Sequence, residues 1–345
     1  MKLTNPAKST YYHNMDIVRY LLSLAVIVDH TNIVAGYDMP FFISSFEAVG
    51  GFFALSGFLM YPNYLRHDNC MGYLGQRARR ILPPYIFIVV GAALFLVIGS
   101  TLTPSEYFTS KGFYAYLAAN LSFLNWLHPD LPGVFQGVEF NISAVNASLW
   151  TMKIEWCLYF SVPIFIFFLS RIKRLSTISL SVIIIIISIL YRLYFSNLYI
   201  QTEKEIYHIL SRQIFGQLSY FYFGMLIYFL KDIFSRNLLL VGIIGIALVY
   251  LSRILDYGSI ILNPLGISMT VMAISMIPYS IPLLNSKNNI SYEMYLFHFP
   301  IIQFGIFLGV HTYNIWIEYF YVLSVTIVLS LLAHFFLEKL IKRTR

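Results

Sequence analysis

Long apolar runs separated by short polar turns fill most of the chain. They fall at about 15–35, 46–64, 80–100, 148–170, 176–196, 209–230, 237–253, 260–279, 290–309 and 316–337. Most are close to the roughly 20 residues a helix needs to cross a bilayer. One further stretch, Phe113 to Leu127, has only 15 residues. Charge decides how to read it, because cytosolic loops collect Lys and Arg. Basic clusters occur at Lys2 and Lys8, at Arg66, Arg77, Arg79 and Arg80, at Arg171, Lys173 and Arg174, at Lys231 and Arg236, and at Lys339, Lys342, Arg343 and Arg345. If 113–127 crosses, the later clusters face outward. If it does not, every cluster is cytosolic. The pattern predicts an all-α polytopic membrane protein with about ten spans and both termini in the cytosol. It forms one membrane domain, 1–345, with an extracytoplasmic segment at about 101–147. That segment is turn-rich in "HPDLPGVFQGVEFNISAVN", and segments of this length are often functional lids.

Composition agrees. The chain is 58% hydrophobic and 11% charged, against about 25% charged in soluble domains. The net charge of +7 would suggest nucleic acid in a soluble protein. Here the cations end apolar runs, so they orient the chain and no nucleic-acid partner is expected. The two cysteines, Cys70 and Cys157, give neither a disulfide framework nor a CxxC metal spacing. The polar start, with no small-residue cleavage site after the first run, predicts an uncleaved helix. No soluble domain is read at either end.

The spans carry charges that cost roughly 2.5–3.5 kcal/mol each on insertion scales. In "IVRYLLSLAVIVDHTNIV", Arg19 and His30 are 11 residues apart. They lie within about 20° of one helix face and about 16 Å apart along the axis. Asp16 is placed to pair with Arg19. Asp29 points about 100° away from His30. Buried polar residues of this kind are expected to line a central cavity. In "GYLGQRARRILPPY", Arg77 and Arg80 share a face. They suit either a two-pronged phosphate site or a positive anchor. Glu155, two turns into the run beginning at Ser148, needs a partner from another helix or a raised pKa. Ser291, Tyr295 and His298 share a face, with the histidine among aromatics. Ser56 lies with Gly50, Gly51 and Gly57 in a small-residue stretch suited to close helix packing. Arg192, Arg212, Arg253, His208 and His334 fall near predicted span ends.

Taken together, these stretches resemble the acyltransferase-3 family of integral-membrane acyltransferases. Arg19 and His30 match its Arg-x10-His pattern, and "GFFALSGFLM" its FFxxSGF segment. "RARRILPPY" resembles its RxxRxxP element at Arg77, Arg80 and Pro83. Trp150, Glu155 and Tyr159 are similar to its tryptophan-glutamate-tyrosine segment, and "MYLFHFP" to its C-terminal histidine motif at His298. The matches come in family order along nearly the whole chain.

The resemblance implies O-acylation of cell-surface or lipid-linked glycans, mostly with acetyl from acetyl-CoA. The chain looks like the members without an esterase-like domain. It implies a multi-pass protein of the bacterial inner membrane whose partners are acyl-CoA, a glycan or lipid-linked sugar, and membrane lipid, with no metal. Arg19, Arg77 and Arg80 would hold the CoA phosphates. His30 would be the base or a transient acetyl carrier. Glu155 or Asp29 would orient its imidazole. Ser56, Trp150, Tyr295, His298 and Asp29 would position substrate. A lipid-linked sugar transporter or flippase is the alternative, although paired interrupted helices in matching halves are not evident.

Overall fold

Every one of the ten apolar runs forms helix in the computed structural model, which describes residues 14–39, 41–136, 144–172, 176–278 and 289–343. Lys2, Lys8, Lys173, Arg174 and Arg345, and residues 137–143 of the turn-rich segment, lie outside the described residues. The helices are α1 (Asn14–Ala35), α2 (Ser45–Tyr64), α3 (Cys70–Phe95), α4 (Pro104–Thr109), α5 (Lys111–Leu121), α6 (Trp150–Arg171), α7 (Thr177–Thr202), α8 (Glu205–Ser211), α9 (Ile214–Phe229), α10 (Lys231–Phe234), α11 (Leu238–Ile254), α12 (Gly258–Ile261), α13 (Asn263–Ser275), α14 (Ser291–Phe307) and α15 (Ile315–Arg343). Among the described residues the β structure is one isolated bridge, Ser100 to Val134.

Among the described residues, six segments are long and apolar enough to cross a membrane: 14–35, 70–99, 147–171, 177–202, 231–254 and 315–339. The other four expected spans are α2, α9, α13 and α14. Helices α9, α13 and α14 have 16, 13 and 17 residues, rising about 20–26 Å against a hydrocarbon core of about 30 Å. Helix α2 has 20 residues but contains Pro62 and a buried Glu47. These four are also thickly enclosed; in α14, 14 residues from Ser291 to Ile306 are buried. A helix surrounded by protein need not match lipid thickness.

Residues 113–121 of the stretch from Phe113 to Leu127 lie in α5, whose 11 residues rise about 16 Å, and the rest of the stretch is turn. Ser110 caps α5 by accepting from the Phe113 N–H. Thr103 and Glu106 form a capping box on α4, satisfying backbone donors that a helix start leaves open.

The chain divides into two units. The first comprises 1–22, 46–75 and 154–286; the second comprises 23–45, 76–153 and 287–345. In the first, α2 and α9 cross with backbones nearly touching. A Cβ on Gly57 would lie 1.8 Å from the Phe221 carbonyl oxygen, and one on Gly224 would lie 1.9 Å from that of Ala54. Only glycine fits on both sides, which is the reason for glycine in "ALSGF". Gly57→Ala should therefore force the helices apart and cost about 1–3 kcal/mol or more. The melting temperature of the purified protein checks this; an unchanged value would refute the crossing.

A polar network also ties this unit together. Glu47 accepts from Arg253 Nη2 at 2.8 Å and from Asn263 Nδ2 at 2.8 Å, and the Tyr220 hydroxyl donates to Asn263 Oδ1 at 2.8 Å. Arg192 does not sit at a span end. Helix α7 continues to Thr202, so Arg192 is buried ten residues inside it, over the rings of Phe46 and Tyr220.

In the second unit, the segment after α3 folds back onto that helix. The Tyr107 hydroxyl donates to the Ala93 carbonyl at 2.8 Å, and that of Tyr85 to the Asn120 carbonyl at 2.6 Å. His334, expected near a span end, pairs with Glu293 at 2.9 Å.

Candidate active site

Helices α1 and α14 lie side by side in the second unit, in register and in the same direction. Ser23 Oγ donates to the Ser291 carbonyl at 2.8 Å, and seven residues further along each helix His30 Nδ1 meets His298 Nε2 at 2.8 Å. The imidazole planes differ by 13°, and the Phe299 ring stands edge-on to His30 at 5.5 Å. His298 is fully buried and His30 half-buried.

The hydrogen bonds set the tautomers. His298 Nδ1 lies 2.7 Å from the Tyr295 carbonyl oxygen, which can only accept, so Nδ1 carries the hydrogen. With both rings neutral, His298 Nε2 is then an acceptor and His30 Nδ1 must donate to it. His30 Nε2 is left with its lone pair free. That is the arrangement a general base requires.

The start of α6 braces α14 at this level. Pro300 lacks an N–H, so the Leu296 carbonyl four residues earlier has no helical donor. Asn146 Nδ2 supplies one at 2.8 Å. Asn146 Oδ1 meanwhile accepts from the Ser148 N–H at 3.2 Å and the Ser148 hydroxyl at 2.5 Å. The Tyr295 hydroxyl lies 2.8 Å from Thr151 Oγ1 and 3.3 Å from the Ser148 carbonyl. His298 is thus held on a helix whose proline-broken ladder is repaired from the segment just before Trp150.

Asp29 is engaged elsewhere. Its Oδ2 accepts from the Ser45 N–H at 2.6 Å, next to the start of α2. The imidazole partner expected from Asp29 or Glu155 is supplied by His298. Trp150 is half-buried. Arg77 is buried, with Nη2 donating to Gln76 Oε1 at 2.7 Å, whereas Arg80 is exposed. One residue of the expected fork therefore faces inward and the other outward.

Arg19, Ser56 and Glu155 belong to the first unit. Arg19 Nη1 pairs with Asp16 at 2.8 Å, as the spacing predicts. Ser56 is half-buried. Glu155 accepts from the Tyr159 hydroxyl one turn along its own helix. Among the described residues, no group of three or more His, Cys, Asp or Glu side chains could hold a metal ion.

A family model described as an acyltransferase domain, that of the acyltransferase-3 family, matches residues 12–335. The chain belongs to the acyltransferase-3 family. An O-acetyl transferase of Shigella phage Sf6 is 26% identical over 151 residues, which cover 42% of this chain and 43% of that protein. The match therefore spans less than half of that relative's length. No solved structure matches the chain.

In this family member the second unit also holds an apolar groove of about 810 Å³ between α3, α14 and α15, lined by Phe87, Gly91, Phe297, Phe304, Tyr321 and Phe336 among others. Phe297 and Phe299 flank His298 in sequence, so α14 presents the groove on one side and the histidine on another. Sequence reasoning missed Asn146 and the groove. Pro300 was the available signal for the first, since it marks an orphaned carbonyl that some side chain has to satisfy.

Proposed function

We propose that the protein transfers an acetyl group from acetyl-CoA to a hydroxyl of a glycan, with His30 as general base. The observation that carries this reading is the chain from the Tyr295 carbonyl through His298 to His30, which leaves His30 Nε2 unprotonated. In the reaction the acceptor oxygen attacks the thioester carbonyl and His30 Nε2 takes its proton. The C–S bond breaks, and His30 returns the proton to the departing CoA thiolate. A new ester forms, CoA leaves as the thiol, and no net proton is consumed. Family membership and the phage O-acetyl transferase support acyl transfer to a glycan.

Arg77 and Arg80 hold the CoA phosphates from two sides rather than as one fork, Arg77 from the buried side of α3 and Arg80 from its exposed side. Both belong to the basic cluster before Pro83, on the face that the charge pattern places in the cytosol. The Arg77→Ala, Arg80→Ala double variant should raise the Kd for acetyl-CoA about tenfold or more, because charge-assisted bonds contribute about 1.5–3 kcal/mol when shielded. Isothermal titration with acetyl-CoA checks this; an unchanged Kd would leave the pair as orientation anchors.

The protein works in the bacterial inner membrane, with ten spans, both ends cytosolic, and 101–147 outside. The enclosure of the four shorter helices supports this count. The apolar groove beside His298 favours a lipid-linked acceptor. The test of the whole reading is thiol release from acetyl-CoA by the purified protein, dependent on added surface glycan. Absence of both thiol release and acetylated product would refute it.

A further inference from the structure

Helix α15 brings an acidic side chain into the second unit that the mechanism above does not use. Glu318 is fully buried, and neither carboxyl oxygen has a hydrogen-bond partner among the described residues. Leaving such a group unmatched inside a protein is costly, and an ionisable group in a membrane helix generally marks a site.

Its position is specific. A Cβ on Gly305 would lie 3.0 Å from Glu318 Oε1 and 2.6 Å from the Tyr321 ring, so glycine makes the room for both. Gly305 follows His298 by seven residues on α14, two turns, which puts it on nearly the same face and about 10 Å further along. Helix α1 contacts the residue that follows Glu318. The Tyr319 hydroxyl donates to Asn32 Oδ1, and Asn32 Nδ2 donates to the Met39 carbonyl at 2.9 Å. Asn32 is two residues beyond His30.

Aromatic rings gather at Tyr319, the residue after Glu318. Trp316 and Tyr37 lie 6.1 and 6.3 Å from the Tyr319 ring. Burial, with the Glu318 carboxyl nearby, pushes the Tyr37 hydroxyl above its ordinary range. Trp316 is 66% exposed, which gives the cluster an open edge.

We propose that Glu318, with Tyr37 and Tyr319, forms the subsite for the acceptor's sugar ring, beyond the His30–His298 pair. A carboxyl without a partner can accept hydrogen bonds from sugar hydroxyls, and flat aromatic faces suit the apolar face of a pyranose. An anion is disfavoured by the carboxyl. A lone carboxyl is too few oxygens for a bound metal. The sugar reaches Glu318 by displacing the Tyr37 ring. Tyr321, which touches the same glycine, also lines the apolar groove, so a lipid tail on the acceptor has an apolar path beside the sugar site. This inference rests on the acetyl-transfer reading, which it deepens by naming where the acceptor binds.

The test uses the full chain in nanodiscs. The donor is saturating acetyl-CoA, and the acceptor is surface polysaccharide from the host strain stripped of O-acetyl groups by mild alkali. Glu318→Gln keeps the shape and should raise the acceptor KM about tenfold while kcat and acetyl-CoA affinity stay within about threefold. A Glu318→Gln protein with unchanged acceptor KM, or with kcat lowered at constant KM, would overturn the subsite. If wild-type protein transfers no acetyl at all, the transfer reading fails. Direct titration of the same polysaccharide into wild type and Glu318→Gln then decides the subsite separately, and equal binding would overturn it.

Discussion

Replacing His30 by alanine should lower acetyl transfer by about 10²–10⁴-fold, the usual loss when a positioned general base is removed. Acetyl-CoA should still bind, because the phosphates are held by Arg77 and Arg80. The effect should appear in kcat with little change in the KM for either substrate, since Nε2 acts only as the acceptor hydroxyl gives up its proton. Loss of the His30–His298 bond also removes a helix contact, so thermal stability has to be followed in parallel. A folded His30→Ala protein turning over near the wild-type rate would end the proposed mechanism. Rapid quenching of wild type with labelled acetyl-CoA separates the two ways histidine could act. Label fixed on the protein in wild type and lost in His30→Ala would replace the base with an acetyl-histidine carrier.

The helices were legible from the sequence because a membrane-spanning run has one simple requirement, about 20 apolar residues. Their lengths were less so. Apolar composition does not show that α14 and α13 are enclosed by protein, nor that Pro264 and a short turn split the run at 260–279 into α12 and α13. The site was legible in part. Spacing along one helix sufficed to place Arg19 and His30 on a common face and to pair Asp16 with Arg19. It could not bring His298 to His30, because that contact joins residues 268 apart in sequence and depends on the register between α1 and α14. The aromatic neighbours of His298 gave no sign of it, although one of them, Phe299, packs edge-on against His30. Arg192 was misplaced for a different reason. An arginine ten residues before a helix end resembles a terminal anchor when that end is drawn too early.

His298→Ala should lower acetyl transfer by about 10²–10³-fold, somewhat less than His30→Ala. The tautomers set this order. His298 does not reach the substrate as a base; its Nδ1 is committed to the Tyr295 carbonyl and its Nε2 to His30. Its work is to hold the hydrogen of His30 on Nδ1, so that Nε2 faces the acceptor with a free lone pair. Without it, the His30 ring can rotate or carry its hydrogen on the other nitrogen, and only a fraction of molecules keep the productive form. His298→Gln places an amide oxygen near the former Nε2, where it can accept from His30 Nδ1, and should recover about tenfold of the loss. A purely structural role for His298 predicts the opposite pattern, with both variants destabilised and activity tracking the folded fraction. The double variant His30→Ala, His298→Ala makes the sharpest comparison. If His298 acts only through His30, the double variant should be no slower than His30→Ala alone, since residues that act as a unit are strongly non-additive. A further loss in the double variant at equal folded protein would show that His298 contributes independently of His30.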